Sequence, residues 1–166
     1  MRKRLLMPAL MLILITGITG CSTDGGASSM PTGSTNSNSL PQIGGEKGKE
    51  PTIGAPQGTP PATLQMQDIF LGDGAEAGAT STLTVHYTLM SWSTGQIVES
   101  SWSGGQPATF PLTQVIQGWQ QGIPGMKVGG RRLLVIPPSL GYGDQAAGPI
   151  AANETLIFVV DLIGVK

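Results

Sequence analysis

Every aromatic side chain of this 166-residue chain lies from Phe70 onward, and that placement decides where a core can form. The aromatics are Phe70, Tyr87, Trp92, Trp102, Phe110, Trp119, Tyr142 and Phe158. Large aromatic groups dominate core burial, so the stretch before Phe70 lacks the means to build a core of its own. One folded unit over 62–166 is predicted, since about 100 residues suffice for a single domain. Removal of everything before Ala62 is therefore expected to leave folding intact.

Charge and cysteine content exclude several functions. From Ala62 onward the basic residues are Lys127, Arg131, Arg132 and Lys166, against Asp68, Asp73, Glu76, Glu99, Asp144, Glu154 and Asp161. A net negative domain offers no basic face to a nucleic acid. Cys21 is the single cysteine and His86 the single histidine, so neither an intrachain disulfide nor a His/Cys metal site is available. No metal or cofactor is expected.

The first residues read as an address. Arg2-Lys3-Arg4 precede an apolar stretch from Leu5 to Ile18, interrupted by Pro8 and shorter than the ~20 residues that span a bilayer. Residues 1–20 therefore read as a cleaved signal. The closing Ile18-Thr19-Gly20-Cys21 resembles the lipobox of bacterial lipoproteins, which implies diacylglyceryl modification of Cys21 and a membrane anchor on the extracytoplasmic face. The alternative is an ordinary secretory signal that leaves Cys21 a free thiol. After Cys21 the chain is Gly-, Ser-, Thr-, Pro- and Asn-rich up to Pro61. Residues 21–61 are predicted to form a disordered tether spanning roughly 35 Å as a flexible coil.

Within the domain, Leu83, Val85, Tyr87 and Leu89 alternate with Thr82, Thr84, His86 and Thr88, the period of a strand with one apolar face. On that pattern His86 is exposed and inert. Leu156–Ile163 is apolar on both faces and predicts a central strand; Arg131–Ile136 predicts another, halted by Pro137-Pro138, with its arginines solvated at the strand end. Gly72-Asp73-Gly74 signals a turn. Between the strands one short helix is predicted, capped by Thr113, carrying Val115, Ile116 and Trp119 on one side and ending at Gly122. Antiparallel strands around one short helix make an α+β domain.

Val85-His86-Tyr87-Thr88, Glu99-Ser100-Ser101, 105–112, Gln114–Trp119, Ile136-Pro137-Pro138 before Gly141-Tyr142-Gly143, and Thr155-Leu156-Ile157-Phe158 follow one another in this order. In that order they resemble the FKBP-type peptidyl-prolyl isomerases over roughly 64–166. The resemblance implies a twisted antiparallel sheet wrapped around the helix, a shallow apolar cleft between them, and proline-containing proteins as substrates. It implies that Tyr87 walls the cleft, Trp119 is its floor, Tyr142 donates to a substrate carbonyl, and the backbone N–H of Ile116 contacts the ligand. Val98, Val115, Ile150 and Phe158 complete the lining. A macrolide is a further ligand the family suggests, and a monomer is expected.

Departures fall at the rim. Most members have Phe-Asp where this chain has Val98-Glu99, many have an arginine where it has Gly104, and some have a further aromatic where it has Ala108. The family's Asp–Arg pair orients the cleft tyrosine; Glu99 reaches further but lacks that partner. Two other functions stay open on the sequence alone. One is a prolyl-binding chaperone module that barely catalyses, and the other a structural envelope protein.

Overall fold

The alternating run around Tyr87 forms β4 (Thr82–Ser91), and the doubly apolar run near the C-terminus forms β8 (Leu156–Val165), which pairs antiparallel with β4 along nearly its whole length. In this computed structural model the described residues are 40–166, within the unit Thr35–Lys166. The signal segment 1–20, Cys21 and the tether up to residue 39 lie outside the described residues.

Before these strands in the chain come β1 (Ile43–Gly44), β2 (Thr52–Ile53) and β3 (Gln65–Phe70). Between β4 and β8 lie β5 (Ile97–Ser100), β6 (Ala108–Pro111), the helix α1 (Gln117–Gly122) and β7 (Arg131–Ile136). The main sheet is antiparallel, ordered β3-β7-β8-β4-β5. The far edge of β4 is shared, with β6 pairing to Thr82–Val85 and β5 to Thr88–Met90. A curved antiparallel sheet and one short helix give the predicted α+β class, with β8 inside the sheet as its composition requires.

The period of two sorts the strands into an inner and an outer apolar face. Leu83, Val85, Leu89, Leu134, Ile136, Leu156, Phe158, Val160 and Leu162 pack with Trp119 on the inner side. Met90, Trp92, Leu133, Val135, Ile157 and Val159 form a second cluster on the outer side, covered by Leu40, Ile43, Ile53 and Ile69. Fully burying such a side chain contributes ~1.5–3 kcal/mol, and β8 is buried on both faces from Leu156 to Leu162.

The cover corrects the predicted boundary. Residues 40–61 are not tether: β1 and β2 form a small hairpin laid over the outer face, with Pro41, Pro51 and Pro61 buried. The segment is scarce in large side chains because it borrows its core from the sheet. It also closes over Arg131, whose Nη2 donates to the Lys49 carbonyl, while Glu50 Oε1 accepts from Ser100 Oγ at 2.8 Å.

Both arginines of β7 differ from the expected solvated ends. Arg131, 0% exposed, lies opposite Asp161 on β8, and its Nε donates to that carboxylate at 3.0 Å. Burial pushes the Asp161 carboxyl up against the opposing pull of Arg131. Arg132, on the other face, makes two bonds to Asp68 at 2.6 and 3.0 Å and donates to the Gly122 carbonyl at 2.8 Å. A guanidinium there satisfies a carbonyl at the end of α1, where helix carbonyls lack partners. His86 is half-buried rather than exposed, stacked on Trp102 with centroids 3.9 Å apart and its Nδ1 3.0 Å from Ser101 Oγ.

The helix is shorter than predicted. Leu112–Gln114 forms a separate single turn, Val115 and Ile116 are extended, and Ile116 rather than Thr113 precedes α1. Two glycines one turn apart set its distance from the sheet. A methyl on Gly118 would meet Ile136 at 2.4 Å, and one on Gly122 would meet Leu134 at 2.7 Å. Helix propensity alone favours Gly118→Ala by ~1 kcal/mol, but overpacking costs ~1–3 kcal/mol. The variant is expected to be destabilised, with a lower urea midpoint; a raised midpoint would show that the helix can lift off β7 freely.

Candidate active site

The inner face is not filled to its edge. Between α1, the outer half of β4 and the turn after β7 lies an open hollow of about 430 Å³ lined by Tyr87, Leu89, Glu99, Phe110, Gln114, Val115, Ile116, Trp119, Tyr142 and Phe158. Trp119, 4% exposed, forms its floor. Phe158, Tyr87 and Phe110 stand around it with centroids 5.3, 5.9 and 6.1 Å from the indole, each within seven degrees of perpendicular. Edge-to-face contacts at these separations are favourable for aromatic rings. The Trp119 Nε1 is buried without a partner among the described residues, so ring packing rather than a hydrogen bond fixes the indole.

Local geometry explains how each group is presented. The backbone of Tyr87 is bracketed by Ser101, whose N–H donates to the Tyr87 carbonyl at 3.0 Å and whose Oγ accepts the Tyr87 N–H at 2.9 Å. The Tyr87 hydroxyl donates to Glu99 Oε1 at 2.6 Å. Burial first, and then the Glu99 carboxylate, hold the Tyr87 phenol well above its ordinary pKa, so it stays a donor. Glu99 thus holds the tyrosine directly, and no arginine takes part in the contact among the described residues.

Val115 and Ile116 reach the cleft because the chain is extended there, between the single turn and α1; Gln120 Nε2 donates to the Val115 carbonyl at 2.7 Å and steadies the segment. The Ile116 N–H has no acceptor among the described residues. Tyr142 is carried on a turn whose Gly141 and Gly143 amides both donate to the Pro138 carbonyl, at 3.0 and 2.8 Å, and Gly143 adopts a φ of 62° that glycine tolerates freely. The Tyr142 side chain is 39% exposed at the mouth of the hollow, and its hydroxyl is uncommitted among the described residues.

The hollow brings together Tyr87, Glu99, Trp119, Tyr142, Val115, Ile116 and Phe158. Val98 and Ile150 do not line it; both pack against the inner core, and Ile150 exchanges backbone bonds with Ala147 across a local turn. Leu89, Phe110 and Gln114 were missed as lining residues. The first two continue the inner-face alternation of β4 and its partner β6, where Phe110 sits opposite Leu83.

Comparison with known proteins agrees with this geometry. The family described as FKBP-type peptidyl-prolyl cis-trans isomerase matches residues 74–163. The FK506-binding protein of Streptomyces anulatus is 51% identical over 121 residues, covering 70% of this chain and 98% of that protein. The outer membrane protein MIP of Legionella longbeachae is 41% identical over 107 residues, 64% of this chain and 46% of that protein. The crystal structure of FkpA from Escherichia coli superposes with a TM-score of 0.59 at 37% identity, over 62% of this chain and 48% of that one. The aromatic hollow and the extent of these matches lead to one identification: this chain is an FKBP-type peptidyl-prolyl cis-trans isomerase.

Proposed function

We propose that the hollow over Trp119 receives the proline of an X–Pro segment and eases rotation about its amide, on proteins outside the cytoplasm. The observation that carries this reading is the grouping of Tyr87, Phe110 and Phe158 around one buried indole, with two free donors, Tyr142 Oη–H and Ile116 N–H, on residues of the same wall.

An X–Pro bond turns in tens to hundreds of seconds because rotation breaks amide resonance, at ~18–20 kcal/mol. Reaching milliseconds requires about 10⁴-fold, or ~5.5 kcal/mol. The twisted amide separates less charge than the planar one, so transfer from water to an apolar surface favours it. The two donors bind carbonyls flanking the proline and hold the segment while the amide turns. Tyr87, committed to Glu99, shapes the wall rather than donating to substrate. No bond is broken, so no nucleophile or cofactor is needed.

A protease-free isomerisation assay on an X–Pro peptide tests the reading. Wild type is expected to accelerate exchange, and Tyr142→Phe to lower kcat/KM about tenfold, the effect of losing one hydrogen bond of ~1.4 kcal/mol. Equal rates would remove the Tyr142 hydroxyl from the mechanism. A macrolide of the kind named for the Streptomyces relative would occupy the same hollow and compete with the peptide.

The anchoring at Cys21 and the extracytoplasmic setting rest on the Ile18-Thr19-Gly20-Cys21 motif and its basic, apolar approach. The naming of the Legionella relative as an outer membrane protein is in keeping with them. Cells expressing the chain with labelled palmitate are expected to label it, and Cys21→Ala to abolish the label; an unlabelled wild type would contradict the anchor.

A further inference from the structure

We propose that Glu99 makes the cleft selective for substrates carrying a lysine or arginine side chain close to the proline. The inference rests on the hollow being the substrate site. Of the residues that line it, Glu99 alone bears a charge; the rest are aromatic, aliphatic or amide side chains. It sits on β5 with its side chain exposed, so a substrate reaches it without displacing the core.

Its carboxylate is only half used. Oε1 accepts the Tyr87 hydroxyl at 2.6 Å, while Oε2 has no hydrogen-bond partner among the described residues. The ion pairs found among those residues, Arg131–Asp161 and Arg132–Asp68, leave Glu99 out. The two arginines that could have competed are both buried in those pairs, and neither lines the hollow. The position is also fixed. The bond to Tyr87 ties the carboxylate to a ring that is itself packed against Trp119, Phe110 and Phe158.

A carboxylate beside an apolar wall suits a long basic side chain. The methylene stem lies along the rings while the charged head reaches the oxygen, the way such residues cover apolar surface elsewhere. An acidic substrate side chain meets the opposite condition, a like charge beside an apolar wall that screens it less than water does. The pair forms at an exposed rim, so the discrimination is modest, about two- to fivefold, and weakens with salt.

The test compares matched peptides in which lysine, norleucine or glutamate flanks the same X–Pro unit on either side, assayed by protease-free exchange at low and high salt. Glu99→Gln is the decisive variant, because its amide oxygen still accepts the Tyr87 hydroxyl while the charge is gone. At one flanking position or more, wild type is expected to show kcat/KM in the order lysine, norleucine, glutamate, with about two- to fivefold between the first pair. High salt is expected to compress the order and Glu99→Gln to erase it. A lysine-to-norleucine ratio of one at every position, or a ratio that survives Glu99→Gln, overturns the proposal, and acceleration of the norleucine peptide by wild type shows separately that the substrate site stands. If wild type fails to accelerate even that peptide, the substrate site itself is misplaced and both readings fall.

Discussion

A chain beginning at Ala62 is expected to be about 2–4 kcal/mol less stable than one beginning at Leu40, and to aggregate where the longer chain does not. Removing residues 40–61 strips Leu40, Ile43 and Ile53 from the outer cluster and exposes Met90, Trp92, Leu133, Val135, Ile157 and Val159. Each covering residue is partly buried, so it contributes less than the ~1.5–3 kcal/mol of full burial, and the entropy of ordering the segment offsets part of the sum. Arg131 would lose the Lys49 carbonyl as well, and a buried guanidinium short of acceptors is costly. Urea denaturation of the two truncated chains measures the difference. Equal midpoints would mean that the hairpin merely rests on the sheet.

Trp119→Ala is expected to cost about 3–5 kcal/mol of stability, the range for emptying a buried aromatic site, and to lower kcat/KM by up to about a hundredfold. The rate estimate follows from the contact that a proline would lose. The three ring methylenes of a proline contribute ~0.8 kcal/mol each when buried, about 2.4 kcal/mol together, which is nearly two factors of ten when that contact is lost from the transition state. Trp119→Phe separates the two effects. It keeps much of the packing with Phe158, Tyr87 and Phe110 and should recover most of the stability but only part of the rate. A variant at this position that folds and keeps full activity would place the proline elsewhere.

The strands were legible because their side chains report directly on burial. The Thr82–Leu89 alternation and the doubly apolar Leu156–Ile163 run correspond to β4 and β8, and the Pro137-Pro138 stop ends β7. The hairpin over 43–53 was not legible from its own composition. The signal lay in its partner: Leu133, Val135, Ile157 and Val159 are too apolar for a face left to water, so some segment had to cover them. Arg131 and Arg132 misled for a related reason. A charge at a strand start reads as solvated unless its partner is known, and Asp161 and Asp68 become visible as partners only once the register is fixed. At the site, the pattern 114–119 pointed to Val115, Ile116 and Trp119 but not to Gln114, whereas Ile150 is buried in the inner core and Val98 packs partly buried against it. The bond from Tyr87 to Glu99 joins residues twelve positions apart on paired strands, a distance no local pattern spans.

Exchange spectroscopy on a leucine–proline peptide, read together with the indole N–H resonances of the protein, tests the central claim most directly. Rapid interconversion of the peptide's cis and trans signals should appear with catalytic amounts of protein, and titration should shift the Trp119 indole while Trp92, on the outer face, stays in place. Peptide that exchanges no faster than in buffer, or that exchanges quickly with the Trp119 resonance unmoved, would contradict a proline seated on that ring.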